Sequence, residues 1–197
     1  MAADNVRKLK LQVQISVDGF VARLGGELDW MTWKWDDKLA AYITELTDSV
    51  DTILLGRKMA DGFISYWSST ITSPDNPEYA FGKKMIDKPK IVFTKTLDKS
   101  NWVNTSLAKG NLVEELNGIK KQPGKDIIVY GGAGFVSSLV KDNLIDEYNL
   151  FINPTTIGKG LTIFNDVNGK LDLRLIKSIS FESGIVLNCY IPELRTI

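Results

Sequence analysis

The stretch DIIVYGGAGFVSSLVKDNLIDEYNLFI, residues 126–152, decides how the rest of the chain reads. A branched apolar run, Ile127 to Tyr130, enters Gly131-Gly132-Ala133-Gly134, and an apolar helical pattern begins at once. A short apolar run closed by glycine is the signature of a buried strand. Three glycines in four residues before a helix have two explanations. One is a tight turn. The other is a ligand that touches backbone, because helix-start N–H groups without neighbouring Cβ atoms can face an anion directly. The cluster fits the dinucleotide fingerprint G-x-G-x-x-G only at Gly132 and Gly134, with Ser137 in the third place. No Gly-Lys-Ser/Thr follows, so it is not a phosphate loop of the nucleoside-triphosphatase type.

Outward from this turn, strands and helices alternate. Lys8 to Val17 alternates apolar and polar residues and predicts a strand, ended by Asp18-Gly19. Arg23 to Trp35 is a glycine- and tryptophan-rich loop. Asp36 or Asp37 caps a helix running to about Ser49. Thr52–Leu55 is a short strand closed by Gly56, with a short helix from Arg57. Ser68–Pro77 is a polar loop, Phe81–Ile86 a helix, Lys90–Thr94 a strand and Asn101–Asn104 a further short strand. Leu112–Lys121 is an amphipathic helix. After Ile127–Tyr130 come a helix from Phe135 to Lys141 and a strand from Glu147 to Asn153. Leu171–Phe181 and Ile185–Ile191 close the chain as a hairpin around Ser183-Gly184. The pattern predicts one α/β domain over residues 1–197, three-layered. Its central sheet is mostly parallel, with antiparallel C-terminal strands.

Composition narrows the function. Lysine plus arginine and aspartate plus glutamate both number 24, which leaves no electrostatic footprint for nucleic acid or an anionic membrane. No apolar run approaches the ~20 residues of a membrane span. The N-terminal MAADNVRKLK lacks the apolar core of a signal peptide, so a cytoplasmic location is expected. There is no histidine and one cysteine, Cys189, which reads as a small core residue. Histidine relays and zinc sites are thereby excluded. Any catalysis must use carboxylates, lysines, hydroxyls, water or a cofactor.

Three further strand ends resemble the first in kind. SVDGFVA (16–22) carries Gly19, TILLGRKM (52–59) carries Gly56 before Arg57 and Lys58, and IVFTK (91–95) carries Thr94 and Lys95. Ligands of open α/β sheets bind across such carboxyl ends. Two cations at a helix start oppose the helix dipole unless an anion sits there, and a phosphate would satisfy both. A solvated basic pair is the plainer alternative.

Taken in order, SVDGFVA, ILLGRKM, IVFTK, IIVYGGAGFVSSLV and DEYNLFINPTTIGKG resemble the dihydrofolate reductase superfold. SVDG, with Leu28-Asp29-Trp30 further on, is closer to the riboflavin-biosynthesis reductase branch, in a stand-alone form. The resemblance spans about Leu9 to Tyr190. It implies NADPH as hydride donor and a small heterocyclic substrate of pteridine or pyrimidine type. Gly131, Gly132, Ala133, Gly134 and Phe135 would lie along the pyrophosphate and nicotinamide. Arg57 and Lys58 would lie near the ribose 2′-phosphate, with Thr94 and Lys95 assisting at the adenosine end and Gly56 among the cofactor-binding residues. The loop Asp18–Ala22, with Gly19 and Val21, would close over the nicotinamide. The carboxylate that folate reductases carry early in their first helix falls in WMTWKWDDKLAAY, where Asp36 is a candidate proton donor, as is Asp29 before it; helix capping is the other role open to Asp36 and Asp37. Trp30 and Trp33 are candidates for an aromatic wall against the substrate or for packing of the loop. The branch implies a homodimer. A nucleotide-binding or interaction protein that keeps the fold without turnover is the competing reading.

Overall fold

The structure is a computed structural model and describes residues 6–193. Its elements are β1 (Leu9–Ser16), α1 (Asp37–Asp48), β2 (Val50–Gly56), α2 (Arg57–Thr70), α3 (Tyr79–Asp87), β3 (Lys90–Phe93) and β4 (Thr105–Ala108). They continue with α4 (Leu112–Lys120), β5 (Asp126–Val129), α5 (Ala133–Lys141), β6 (Glu147–Asn153), β7 (Leu173–Ser180) and β8 (Val186–Pro192). The eight strands form one sheet in the order β4-β3-β2-β5-β1-β6-β8-β7. β1 to β6 pair in parallel, while β8 joins β6 and β7 in antiparallel fashion. The expected three-layer arrangement with antiparallel closing strands is what the chain adopts.

Alternation along β1 explains the layers. Leu9, Leu11, Val13 and Ile15 point into a core shared with Leu116 and Ile119 of α4 and Val136, Leu139 and Val140 of α5. On the other face α1, α2 and α3 bury Leu46, Ala60, Ile64, Met85 and Ile86 against β2 and β3. Leu39 and Ile43 of α1 also pack on Phe151, Phe181, Ile185 and Leu187, which ties the closing hairpin to the first helix.

Two expected elements differ. The helix after Gly56 is not short: α2 runs for 14 residues because Ala60 and Ile64 find a core to bury. The strand expected at Asn101–Asn104 lies instead at Thr105–Ala108, entered through Asn104 in the left-handed region at φ 50°. TSLA carries a weak strand pattern and is set by its pairing to β3 at the sheet edge.

Candidate active site

The order of the strands makes the site. β2 and β5 are neighbours, yet α2 leaves β2 for one face and α5 leaves β5 for the other. A crevice opens at the carboxyl ends where helices diverge in this way. Gly56 ends β2 and is the N-cap of α2; Gly132, at φ 85°, is the N-cap of α5. Neither helix has a side-chain cap or an acidic residue in its first turn. By contrast α1 is capped by Asp36 and α4 by Asn111. The third helix without a side-chain cap, α3, starts from a polar loop and not from a strand end. The two bare starts touch: a Cβ on Gly132 would lie 3.9 Å from the Gly56 Cα and 3.8 Å from the Met59 Cβ. Two sets of unpaired N–H groups and two positive dipole ends therefore converge on one crevice.

The side chains around it fall into two groups. Arg57 and Lys58 are exposed and form no hydrogen bond or ion pair with any described residue. A Cβ on Gly134 would meet nothing within 4 Å, so the first turn of α5 is open on that side. Gly131 is held at φ 145°, with Met59 Sδ 3.5 Å from the place of a Cβ. Ala133 opens α5. Phe135 is committed to packing, with its ring 5.1 Å from that of Phe93 and its Cβ against Gly56. Thr94 and Lys95 are also occupied. The Thr94 hydroxyl accepts from Thr96 and Leu97 N–H at 3.2 Å, and Lys95 Nζ donates to the Lys109 and Gly110 carbonyls at 2.8 and 2.6 Å. Lys95 fastens the end of β3 to the end of β4, and Thr94 holds the turn that follows β3.

The loop after β1 is clamped in a way the sequence reading missed. Ser16 Oγ donates to Asp18 at 2.6 Å and accepts from Phe20 N–H at 3.0 Å. Asp18 in turn accepts from Gly158 N–H at 2.7 Å and Ile157 N–H at 3.1 Å. The Ser16 hydroxyl holds the Asp18 carboxyl below the ordinary aspartate range, and the two backbone N–H groups add to this against the opposing cost of desolvation. Gly19 turns the chain at φ 88°. Val21 N–H then donates to the Leu161 carbonyl at 2.8 Å, and Ala22 pairs with Leu161 as an isolated bridge. The only sequence signal was Ser16-x-Asp18-Gly19; its partner at Gly158 is far along the chain.

The predicted carboxylates are both engaged. Asp36 accepts from Leu39 N–H at 2.9 Å and, through its other oxygen, from Ser183 N–H at 3.1 Å. The Leu39 N–H, followed by the Ser183 contacts, lowers its proton affinity. Asp29 is exposed and pairs with Arg23 at 2.7 Å. Neither faces the glycine crevice as a free acid. Trp30 is buried, only 6% exposed, whereas Trp33 is 62% exposed. Beside Trp30, Thr32 N–H donates to Asn153 Oδ1 at 2.9 Å, which lays the loop over the ends of β1 and β6. Asn153 Nδ2 donates to Gln14 Oε1 at 2.7 Å.

Two uncapped helix starts thus meet where the helices of the sheet diverge, the place at which open α/β sheets take up ligands. Residues 7–187 match the RibD C-terminal domain family, and the chain belongs to it. It is 33% identical to the uncharacterized protein YyaP of Bacillus subtilis (strain 168) over 187 residues, 93% of this chain and 94% of that protein. Among solved structures it resembles a putative riboflavin biosynthesis protein from Shewanella sp. PV-4, with a TM-score of 0.72 at 23% identity, covering 95% of this chain and 99% of that one. It also resembles a dihydrofolate reductase from Enterococcus faecalis in complex with NADP(H), with a TM-score of 0.59 at 15% identity and coverage of 95% and 97%. The fold is thus dihydrofolate reductase-like.

Proposed function

We propose that this protein is an NADPH-dependent reductase of a small planar heterocycle of pyrimidine or pteridine type. The observation that carries the reading is the contact between the bare starts of α2 and α5 beside two cations with no partner among the described residues, Arg57 and Lys58. These residues fit a phosphorylated dinucleotide. The Gly132–Gly134 turn leaves room for a pyrophosphate against backbone N–H groups, and Arg57 and Lys58 supply charge for a 2′-phosphate. Gly19 and Val21, in the loop that Asp18 clamps, would cover the reactive ring. When bound, the reduced nicotinamide supplies the hydride. The chain's own residues bind and orient the cofactor and the ring. Asp36 and Asp29 are left out of the proton path, because each already holds N–H donors of the fold; water delivers the proton. Thr94 acts through the turn after β3, and Lys95 through the strand ends it joins. A cytoplasmic homodimer belongs to this reading, motivated by exposed Leu175 and Ile176 on the outer strand β7; a monomer mass by light scattering would remove that part.

Titration with NADPH and with NADH, followed by tryptophan fluorescence, tests the cofactor. NADPH binds more tightly than NADH, and Arg57→Ala weakens NADPH about tenfold or more with little effect on NADH, the size of one lost charge-assisted contact. Equal losses for both cofactors would remove the 2′-phosphate assignment. The second reading, a nucleotide-binding protein without turnover, is favoured by the engagement of both predicted carboxylates. NADPH oxidation in the presence of any pyrimidine, pterin or carbonyl substrate would exclude it.

A further inference from the structure

β1 turns Lys10, Gln12, Gln14 and Ser16 away from the α4–α5 core and toward the layer of α1, where Lys10 Nζ meets Ser49 Oγ at 3.0 Å. A strand in mid-sheet seldom carries two glutamines on a covered face without bonding them. Gln12 is only 9% exposed, and its Oε1 is buried with no hydrogen-bond partner. Turning the carboxamide over would leave the nitrogen there instead, equally unpaired. Its neighbours are engaged elsewhere. Asn149, paired with Gln12 across β1 and β6, donates from Nδ2 to Glu147 Oε1 at 3.0 Å and accepts at Oδ1 from the Cys189 thiol and the Tyr42 hydroxyl. On the other side Tyr130, just beyond β5, stacks on Phe63 at 5.4 Å and places its hydroxyl 3.4 Å from Thr47 Oγ1.

Gln14 lies two residues nearer the glycine crevice. Its Oε1 is held by Asn153 Nδ2, and Asn153 is itself held by Thr32 N–H. The Gln14 carboxamide is therefore oriented, and its Nε2 donates to no described residue. Trp30, two residues before Thr32, has a buried Nε1–H with no partner as well. One side of the β1–β6 floor thus offers an unused acceptor and unused donors. Tyr42 of α1 stands on one flank, and Tyr130 with Phe63 of α2 on the other.

We propose that Gln12 and Gln14 set the specificity of the substrate site. Their carboxamides hold the lactam edge, an adjacent N–H and C=O, of an uncharged planar heterocycle seated between Tyr42 of α1 and Phe63 of α2. A carboxamide presents one acceptor beside one donor, the complement of a lactam. A carboxylate at this place would select an amidine edge, which offers only donors when protonated. An unpaired buried carbonyl costs the free protein stability, and such groups persist where a ligand pairs them. The proposal rests on the reductase reading and narrows its substrate.

Uracil and 2,4-diaminopyrimidine share one ring and differ in the edge they present. Isothermal titration of each into the full chain, with and without saturating NADPH, is the test. Uracil binds at least tenfold tighter than 2,4-diaminopyrimidine. Gln12→Met, which keeps the volume and breaks no internal hydrogen bond, raises the melting temperature and weakens uracil tenfold or more, leaving NADPH affinity unchanged. Gln12→Glu shifts the preference toward 2,4-diaminopyrimidine. Wild-type protein that prefers the diamine or binds neither ring overturns the assignment, as does Gln12→Met protein that binds uracil as before. Uracil binding that depends on Gln12 in a protein unable to bind NADPH would support the edge recognition and count against the cofactor reading alone.

Discussion

Gly56 and Phe135 are packed so closely that a Cβ added to Gly56 would lie 2.7 Å from the Phe135 Cβ. The atom it would strike is rooted in the backbone of α5, not at the end of a flexible side chain. Gly56→Ala therefore pushes the two helix starts apart. We expect a loss of about 1–3 kcal/mol, typical of overpacking, read as a fall in melting temperature of roughly 2–4 °C per kcal/mol. Unchanged melting would mean that the approach of β2 to α5 is looser than described.

Gly134 is the opposite case. Its Cβ position is open, and the residue lies in the first turn of α5 with ordinary helical geometry. Gly134→Ala should stabilise the free protein by about 0.4–1 kcal/mol by restricting the unfolded chain. In the proposed cofactor site the same methyl group would stand where the pyrophosphate approaches backbone. Calorimetry should show a higher melting temperature together with weaker NADPH binding. Stabilisation without any change in affinity would place the cofactor elsewhere.

The Asp18 clamp gives a pH dependence with a definite sign. Its carboxyl is held below the ordinary aspartate value of 3.8 by Ser16, Gly158 and Ile157. Its contribution to stability is complete above that value and is lost as pH falls through the lower value of the folded state. At neutral pH the loop is therefore fully clamped. Asp18→Asn, which cannot match a carboxylate as acceptor of these N–H donors, should speed hydrogen exchange at Ile157 and Gly158 without touching the exchange of β2 or β5. Unaltered exchange at both amides would show the clamp to be dispensable.

For Asp36 the cap and the acid make different forecasts. Losing a cap costs about 1 kcal/mol. Asp36→Ala should lower the melting temperature accordingly and leave the rate of NADPH oxidation, once a substrate is in hand, within a few fold. A collapse of the rate with melting unchanged would return Asp36 to the proton path.

Much of this was legible because the underlying patterns are local. Period-two alternation along Lys8–Val17 identified β1 and its apolar core face, and glycine after apolar runs marked Gly56 and Gly131–Gly134 as helix starts. The unusual cations at Arg57 and Lys58 needed no structure to be noticed. Other positions were misread for reasons the sequence cannot carry. Alternation put Gln12 and Gln14 on the polar side of β1, but it reports two faces and not which one another layer covers. Thr94 and Lys95 sit at a ligand-type strand end but bond their own strands. Thr105–Ala108 is a strand through its pairing alone.

The chain by itself determined the order of elements, the α/β class and the chemistry available without histidine. Side-chain periodicity and turn propensity act over a few residues and are written in the string. The placement of β5 between β2 and β1 was decided only in three dimensions, because strand pairing joins segments with no shared local signal. That insertion brings Gly56 against Gly132 and makes one crevice of two glycine turns. The same non-local packing gives Asp36 its second partner at Ser183 and leaves Gln12 with a buried carbonyl that no described residue satisfies.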